Sequence, residues 1–219
     1  MDVGHNEYVG HNGRVRARVL VLAGPSGAGK SRLAERLGLP VLRLDDFYRD
    51  ASEPDLPRIT EGANAGLVDW DHPGSWHHDA ALAALHELCT EGSADVPVYS
   101  IPHSAVEGHR PLDLGEHRFF VAEGIFAADV VPACAEAGLL AGAYCVRQHR
   151  VLTFWRRLVR DLRERRKPPL VLVRRGLSLM RAQRRVVAHA VALGCRPVTG
   201  DEAHREIRAL MAAPEPAGR

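Results

Sequence analysis

The chain has 219 residues, long enough to bury the core of one α/β domain. A hydrophobic content of 46%, a charged content of 26% and a formal charge of +2 describe an ordinary globular composition and give no argument for a nucleic-acid partner. No apolar run reaches the length of a membrane span and no signal peptide stands out. The four scattered cysteines (Cys89, Cys134, Cys145, Cys195), with no C-x-x-C pair, read as reduced thiols of a cytoplasmic protein.

In chain order, residues 1–15 are polar and rich in Gly, Asn and His, which predicts a flexible tail before a single domain over residues 16–213. A strand is expected over Ala17–Ala23. A glycine-rich turn follows, then a helix over Ser31–Leu37 stopped by Gly38 and Pro40. A short strand, Val41–Leu44, delivers Asp45-Asp46-Phe47-Tyr48-Arg49 to its end. Residues 51–74, rich in Pro, Gly and Asp, read as a long functional loop. A helix is predicted over Ser75–Glu91, with Ala81, Leu82, Leu85 and Leu88 on its apolar face. Val96–Tyr99 is expected as a short strand before a loop rich in His and Pro, and Arg118–Ala122 as a buried strand ending in Glu123-Gly124. A helix over Asp129–Ala137 and a strand over Leu140–Val146 come next. Then follow a strongly basic helix from His149 to about Lys167, a break at Pro168-Pro169, and a helix over Leu177–Leu193. An edge element at Pro197–Gly200, a helix over Glu202–Met211 and a tail over residues 214–219 complete the chain. Strands alternating with helices imply an α/β fold of three layers, a mainly parallel sheet with helices on both faces. Ligands in such sheets bind at the carboxyl ends of the strands.

Gly24-Pro25-Ser26-Gly27-Ala28-Gly29-Lys30-Ser31 fits the phosphate-cradling pattern G-x-x-x-x-G-K-[ST] between a strand and a helix. Backbone N–H groups of the turn and of the helix N-terminus form a concave anion site. Lys30 reaches the β- and γ-phosphates of a nucleoside triphosphate, and the Ser31 hydroxyl ligates Mg²⁺. The only lysines in this arginine-rich chain are Lys30 and Lys167, so a compact ammonium is kept where the motif wants one.

Four further stretches bear on what happens to the γ-phosphate. Asp45, just beyond a strand, suits a base that takes a proton from an attacking hydroxyl, while Asp45-Asp46 also suits the opening of a helical turn. Asp69, Trp70, Asp71 and Trp76 in one loop suit either a small polyol or, through Asp71 and Ser75, the capping of the next helix. Glu123, ending an apolar strand, is placed as a Mg²⁺-associated carboxylate. The run from Arg156 to Lys167 has guanidinium groups only partly balanced by Asp161 and Glu164. It reads as a lid over a triphosphate, about residues 156–176, or as a solvated or nucleic-acid-facing basic helix. The histidines gathered between His72 and His117 show no zinc-ligand spacing.

Taken together these residues resemble the uridine kinase (uridine/cytidine kinase) family of the phosphoribulokinase-like phosphate-loop kinases. The resemblance rests on Gly24–Ser31, Asp45-Asp46-Phe47-Tyr48, Asp71-His72-Pro73, Tyr99 with His103, Glu123-Gly124-Ile125, and the basic run Arg156–Asp161 through Arg165. It implies transfer of the γ-phosphoryl group of ATP to the 5′-hydroxyl of a pyrimidine ribonucleoside, uridine or cytidine, with Mg²⁺ as cofactor and an arginine-rich helical lid. By the same resemblance Asp45 is the catalytic base, and Ser31, Asp45 and Glu123 surround Mg²⁺. Asp71 and Arg157 hold the ribose hydroxyls, and Tyr48, Tyr99 and His103 line the nucleoside site. Arg160 and Arg165 reach the ATP phosphates beside Gly24, Ser26, Gly27, Ala28, Gly29 and Lys30. The partner expected is a small-molecule acceptor, with neither nucleic acid nor membrane, and a homo-oligomer stays open. Two departures stand out: Tyr99-Ser-Ile-Pro-His103-Ser-Ala105 is one residue short and lacks the family's arginine, and Leu170–Gln183 does not follow the family pattern. Nicotinamide riboside or pantothenate as acceptor, or a nucleotide-binding regulator without catalysis, are the alternatives.

Overall fold

The computed structural model describes residues 15–25, 27–62, 64–147 and 184–214. Five parallel strands form the central sheet: β1 (Arg18–Ala23), β2 (Val41–Arg43), β5 (Phe119–Glu123), β6 (Leu140–Val146) and β7 (Arg196–Val198). Their order is β2-β5-β1-β6-β7. β1 is central and buried on both faces, so it reads as a continuous apolar run, RVLVLA, rather than an alternating one. Val19, Val21 and Ala23 enter one core with Leu85 and Leu88 of α2 (His78–Thr90) and Val131 and Cys134 of α3 (Val131–Glu136). Leu20 and Leu22 enter a second core with Leu33 and Leu37 of α1 (Lys30–Leu37) and Ala203 and Ile207 of α4 (Gly200–Ala212). Helices therefore cover both faces of the sheet.

Parallel registration aligns the strand ends that carry chemistry. Leu22 of β1 and Arg43 of β2 both lie opposite Glu123 of β5. The phosphate-loop sequence, the Asp45-Asp46 pair and Glu123 thus leave the sheet at the same edge. Gly24, the first loop residue, has φ +128, and a Cβ there would lie 2.4 Å from the Val146 carbonyl oxygen at the end of β6. Only glycine lets the loop start so close to that strand. All four cysteines are buried. Burial pushes the Cys89 and Cys195 thiols up to about 12 and that of Cys134 up to about 11.

Three differences from the sequence reading have physical causes. The stretch expected as a loop after Tyr99 is instead a strand, β4 (Ala105–Asp113), paired antiparallel with β3 (Ser93–Ser100) in a separate two-stranded sheet. Only Leu112 of β4 is buried, so pairing with β3 holds it and no apolar alternation announces it. The helix expected from Ser75 begins at His78. Pro73–Ser75 form their own 3-10 turn, in which His72 Nδ1 accepts the Gly74 N–H at 3.0 Å. Neither Asp71 nor Ser75 caps α2, because the Ser75 hydroxyl donates to the His72 carbonyl at 2.7 Å. The third difference is at the last helix, which starts at Gly200 rather than Glu202. Thr199 and Glu202 close a capping box that satisfies the first N–H groups. The stretch expected as a basic helix with lid arginines lies outside the described residues, and residues 184–192 are helical. No described helix is long and apolar enough to cross a membrane.

Candidate active site

The phosphate-loop sequence turns on three glycines with positive φ: Gly24, Gly27 and Gly29 (128°, 75° and 92°). Gly29 precedes α1 directly, and no side chain caps that helix. Its free N–H groups therefore face the loop, as an anion site requires. The Lys30 ammonium is buried and folds back over the loop, donating to the Gly24 carbonyl at 2.8 Å and the Pro25 carbonyl at 3.3 Å. Burial lowers its pKa, and the charges of Glu123 and Asp45 oppose that shift. A cation held by two carbonyls near two carboxylates stays available to an arriving phosphate.

One residue further along α1, the Ser31 hydroxyl donates to both Glu123 oxygens, at 2.8 and 3.1 Å. A hydroxyl and a carboxylate at contact distance form an all-oxygen pair beside Asp45, the donor chemistry that suits a partly hydrated Mg²⁺. Among the described residues no group of three His, Cys, Asp or Glu side chains is arranged to hold a metal by itself. Water and phosphate oxygens would have to complete such an ion's shell.

Asp45 and Asp46 lie in a single 3-10 turn, Leu44–Phe47, whose Leu44 and Phe47 are buried. Neither aspartate serves as its cap. Instead Asp45 Oδ1 accepts the Ile125 N–H at 2.9 Å, which pins the carboxylate to the residue just past β5. Asp46, the next residue of the turn, is half-buried and lines the same cleft. Burial pushes its carboxyl up, while the Arg43 and Arg110 guanidinium groups and the Tyr99 backbone N–H hold it against that shift.

These groups open onto one cleft of about 550 Å³. Ser31, Glu123 and Asp45 line one part of it, and Tyr48, Trp70 and Tyr99 another. The three rings pack on one another, with centroids of Tyr48 and Trp70 5.6 Å apart and Tyr48 and Tyr99 also 5.6 Å apart. Phe126 backs Tyr48 at 5.9 Å. Burial raises the Tyr48 hydroxyl, and Asp45 and Asp71 add to that, so it stays protonated and able to donate. Asp71 is exposed and is not part of the cleft wall, although its charge reaches Tyr48.

His103 departs from expectation. It sits in the turn between β3 and β4, its side chain is 73% exposed, and Nδ1 lies 2.5 Å from Glu107 Oε1 and 3.2 Å from the Ser100 hydroxyl. The antiparallel pairing of β4 with β3 brings Glu107 beside it, and the same turn lends Ile101 and Ser104 to the cleft lining. Ser26, Arg157, Arg160 and Arg165 lie outside the described residues. Arg43, Asp46, Trp70, Ile101 and Ser104 also line the cleft. Trp70 and Asp46 belong to stretches the sequence marks as chemical. Arg43, Ile101 and Ser104 carry no sequence signal of their own.

The chain is distantly similar to uridine kinase. A 93-residue stretch is 31% identical to uridine kinase of Psychromonas ingrahamii, covering 37% of this chain and 41% of that one. A 111-residue stretch is 32% identical to inorganic pyrophosphatase TTM2 of Arabidopsis thaliana, covering 48% of this chain and 15% of that protein. The matches thus span less than half the length of these curated relatives, and no protein-family model matches. Among solved structures, a putative fructose transport system kinase from Silicibacter sp. TM1040 superposes with a TM-score of 0.49 at 19% identity, over 87% of this chain and 89% of that one. A possible uridine kinase from Bacillus stearothermophilus does so with a TM-score of 0.45 at 16% identity, over 64% and 76%.

Proposed function

We propose that the chain transfers the γ-phosphoryl group of ATP to the 5′-hydroxyl of a nucleoside, with uridine and cytidine the first candidates. The observation that carries this reading is the shared cleft. A carboxylate pinned by a backbone N–H, Asp45, opens onto the same space as the Ser31–Glu123 pair and the aromatic wall. In this reading the phosphate loop and Lys30 hold the triphosphate, and Ser31, Glu123 and Asp45 surround Mg²⁺, which supplies charge neutralisation at the γ-phosphoryl group. Asp45 accepts the proton of the acceptor hydroxyl as its oxygen bonds to the γ-phosphorus and the bond to ADP breaks. Tyr48, Trp70 and Tyr99 position the nucleoside, Asp71 and Arg157 hold its ribose, and Arg160 and Arg165 close on the phosphates.

A coupled ADP-release assay tests this with uridine, cytidine and the purine nucleosides, and without acceptor. Nucleoside-stimulated ADP release is expected, and its absence with every nucleoside overturns the reading. The engagement of His103 by Glu107 favours keeping nicotinamide riboside and pantothenate in the panel as acceptors of a second reading. Phosphate release from inorganic pyrophosphate, without ATP, is measured beside it, because two curated relatives are inorganic pyrophosphatases.

A further inference from the structure

The cleft wall contains a carboxylate that the transfer step does not use. Asp45 and Asp46 are successive residues of one 3-10 turn, so their side chains diverge by about 120°. Asp45 turns to the Ile125 N–H beside Glu123. Asp46 turns toward the β3–β4 hairpin, where Tyr99 and Arg110 lie. Both carboxylates line the same cleft, Asp46 on the side of the aromatic wall. Arg43 and Arg110 act on Asp46 by charge alone, without closing an ion pair, so its oxygens keep room for a further donor. Beyond the Tyr99 N–H, this half-buried carboxylate keeps acceptor capacity, and a ligand N–H entering the cleft it lines can use it. His103, the residue the sequence offered for this end of the acceptor, is engaged by Glu107 and Ser100.

We propose that Asp46 is the acceptor-selecting residue, its carboxylate accepting a hydrogen bond from an N–H group of the nucleoside base. This rests on the nucleoside kinase reading and adds to it the class of base selected, one that presents a donor. Adenine and cytosine offer amino donors and uracil an imide N–H. A base methylated at that nitrogen offers none.

The test compares uridine with 3-methyluridine, which lacks the imide N–H, in the full chain with ATP and Mg²⁺. A hydrogen bond to a charged group predicts a wild-type preference for uridine of about 10- to 100-fold in kcat/KM. In Asp46→Ala the preference collapses to within about threefold, through a rise in KM for uridine while KM for ATP is unchanged. Asp46→Asn, nearly the same size and a weaker acceptor, falls between the two and serves if the alanine variant does not fold. A preference that persists in the variants, a wild type that does not discriminate, or a preference lost instead in His103→Ala each overturns the assignment while leaving the kinase reading intact. Absence of turnover with every nucleoside overturns both.

Discussion

Gly124→Ala tests the geometry of the site without touching any group that does chemistry. A Cβ at Gly124 would lie 2.7 Å from Asp45 Oδ1, 3.0 Å from Leu44 Cβ and 3.2 Å from the Asp45 nitrogen. Ordinary contact begins at 3.4 Å, so the carboxylate must retreat by about 0.7 Å. Leu44 is fully buried and cannot give way, so the retreat falls on Asp45 and its bond to the Ile125 N–H. Overpacking of this kind costs about 1–3 kcal/mol of stability, or about 2–4 °C in Tm per kcal/mol for a chain of this size. A displacement approaching 1 Å at a catalytic group costs on the order of 10- to 100-fold in rate. Gly124→Ala is therefore expected to remain folded at 25 °C, bind ATP with unchanged affinity and lose about 10- to 100-fold in kcat. The checks are single-turnover ADP formation beside a thermal melt. A folded variant with kcat within twofold of wild type would refute the claim that Asp45, held at that position, takes the proton.

Asp45→Asn is expected to abolish transfer while leaving ATP binding largely intact by calorimetry; equal loss of both would make Asp45 a metal or structural residue instead. Ser31→Ala removes the hydroxyl that meets Glu123 at 2.8 Å, and should raise the Mg²⁺ concentration needed for half-maximal rate more than it changes KM for the acceptor. Alkaline pH should unfold the protein through its buried thiols. Cys89 and Cys195 are pushed up to about 12 and Cys134 to about 11 from 9.0, so their contribution is intact below pH 9 and is lost as pH climbs through those values. Lys30, lowered by burial, acts in the opposite direction as a single group. Denaturant melts between pH 8 and 11 should show stability falling with pH, and less steeply in Cys89→Ala. A flat profile would contradict the burial of these thiols.

What was legible in the sequence follows from how locally each feature is encoded. β1 and β5 are buried on both faces, and their apolar runs announce them within a residue or so. The phosphate-loop pattern is local too, since glycines at fixed spacing carry the backbone angles. The β3–β4 hairpin escaped detection because β4, AVEGHRPLD, owes its strand to a partner and not to its own pattern. The cleft's far wall was lost with it. His103 reads as a site residue by spacing, and only the pairing of the two strands shows that Glu107 holds it. Trp70 and Tyr48 lie 22 positions apart in the sequence, and their ring contact arises from tertiary folding alone.

The burial of all four cysteines makes the chain a clean background for site-specific labelling. A maleimide dye would find no accessible native thiol. Ile101→Cys, at a cleft-lining position whose native residue is 80% exposed, would then carry a single reporter beside the aromatic wall. Its emission would follow acceptor arrival directly, in real time and without waiting for a phosphoryl group to move.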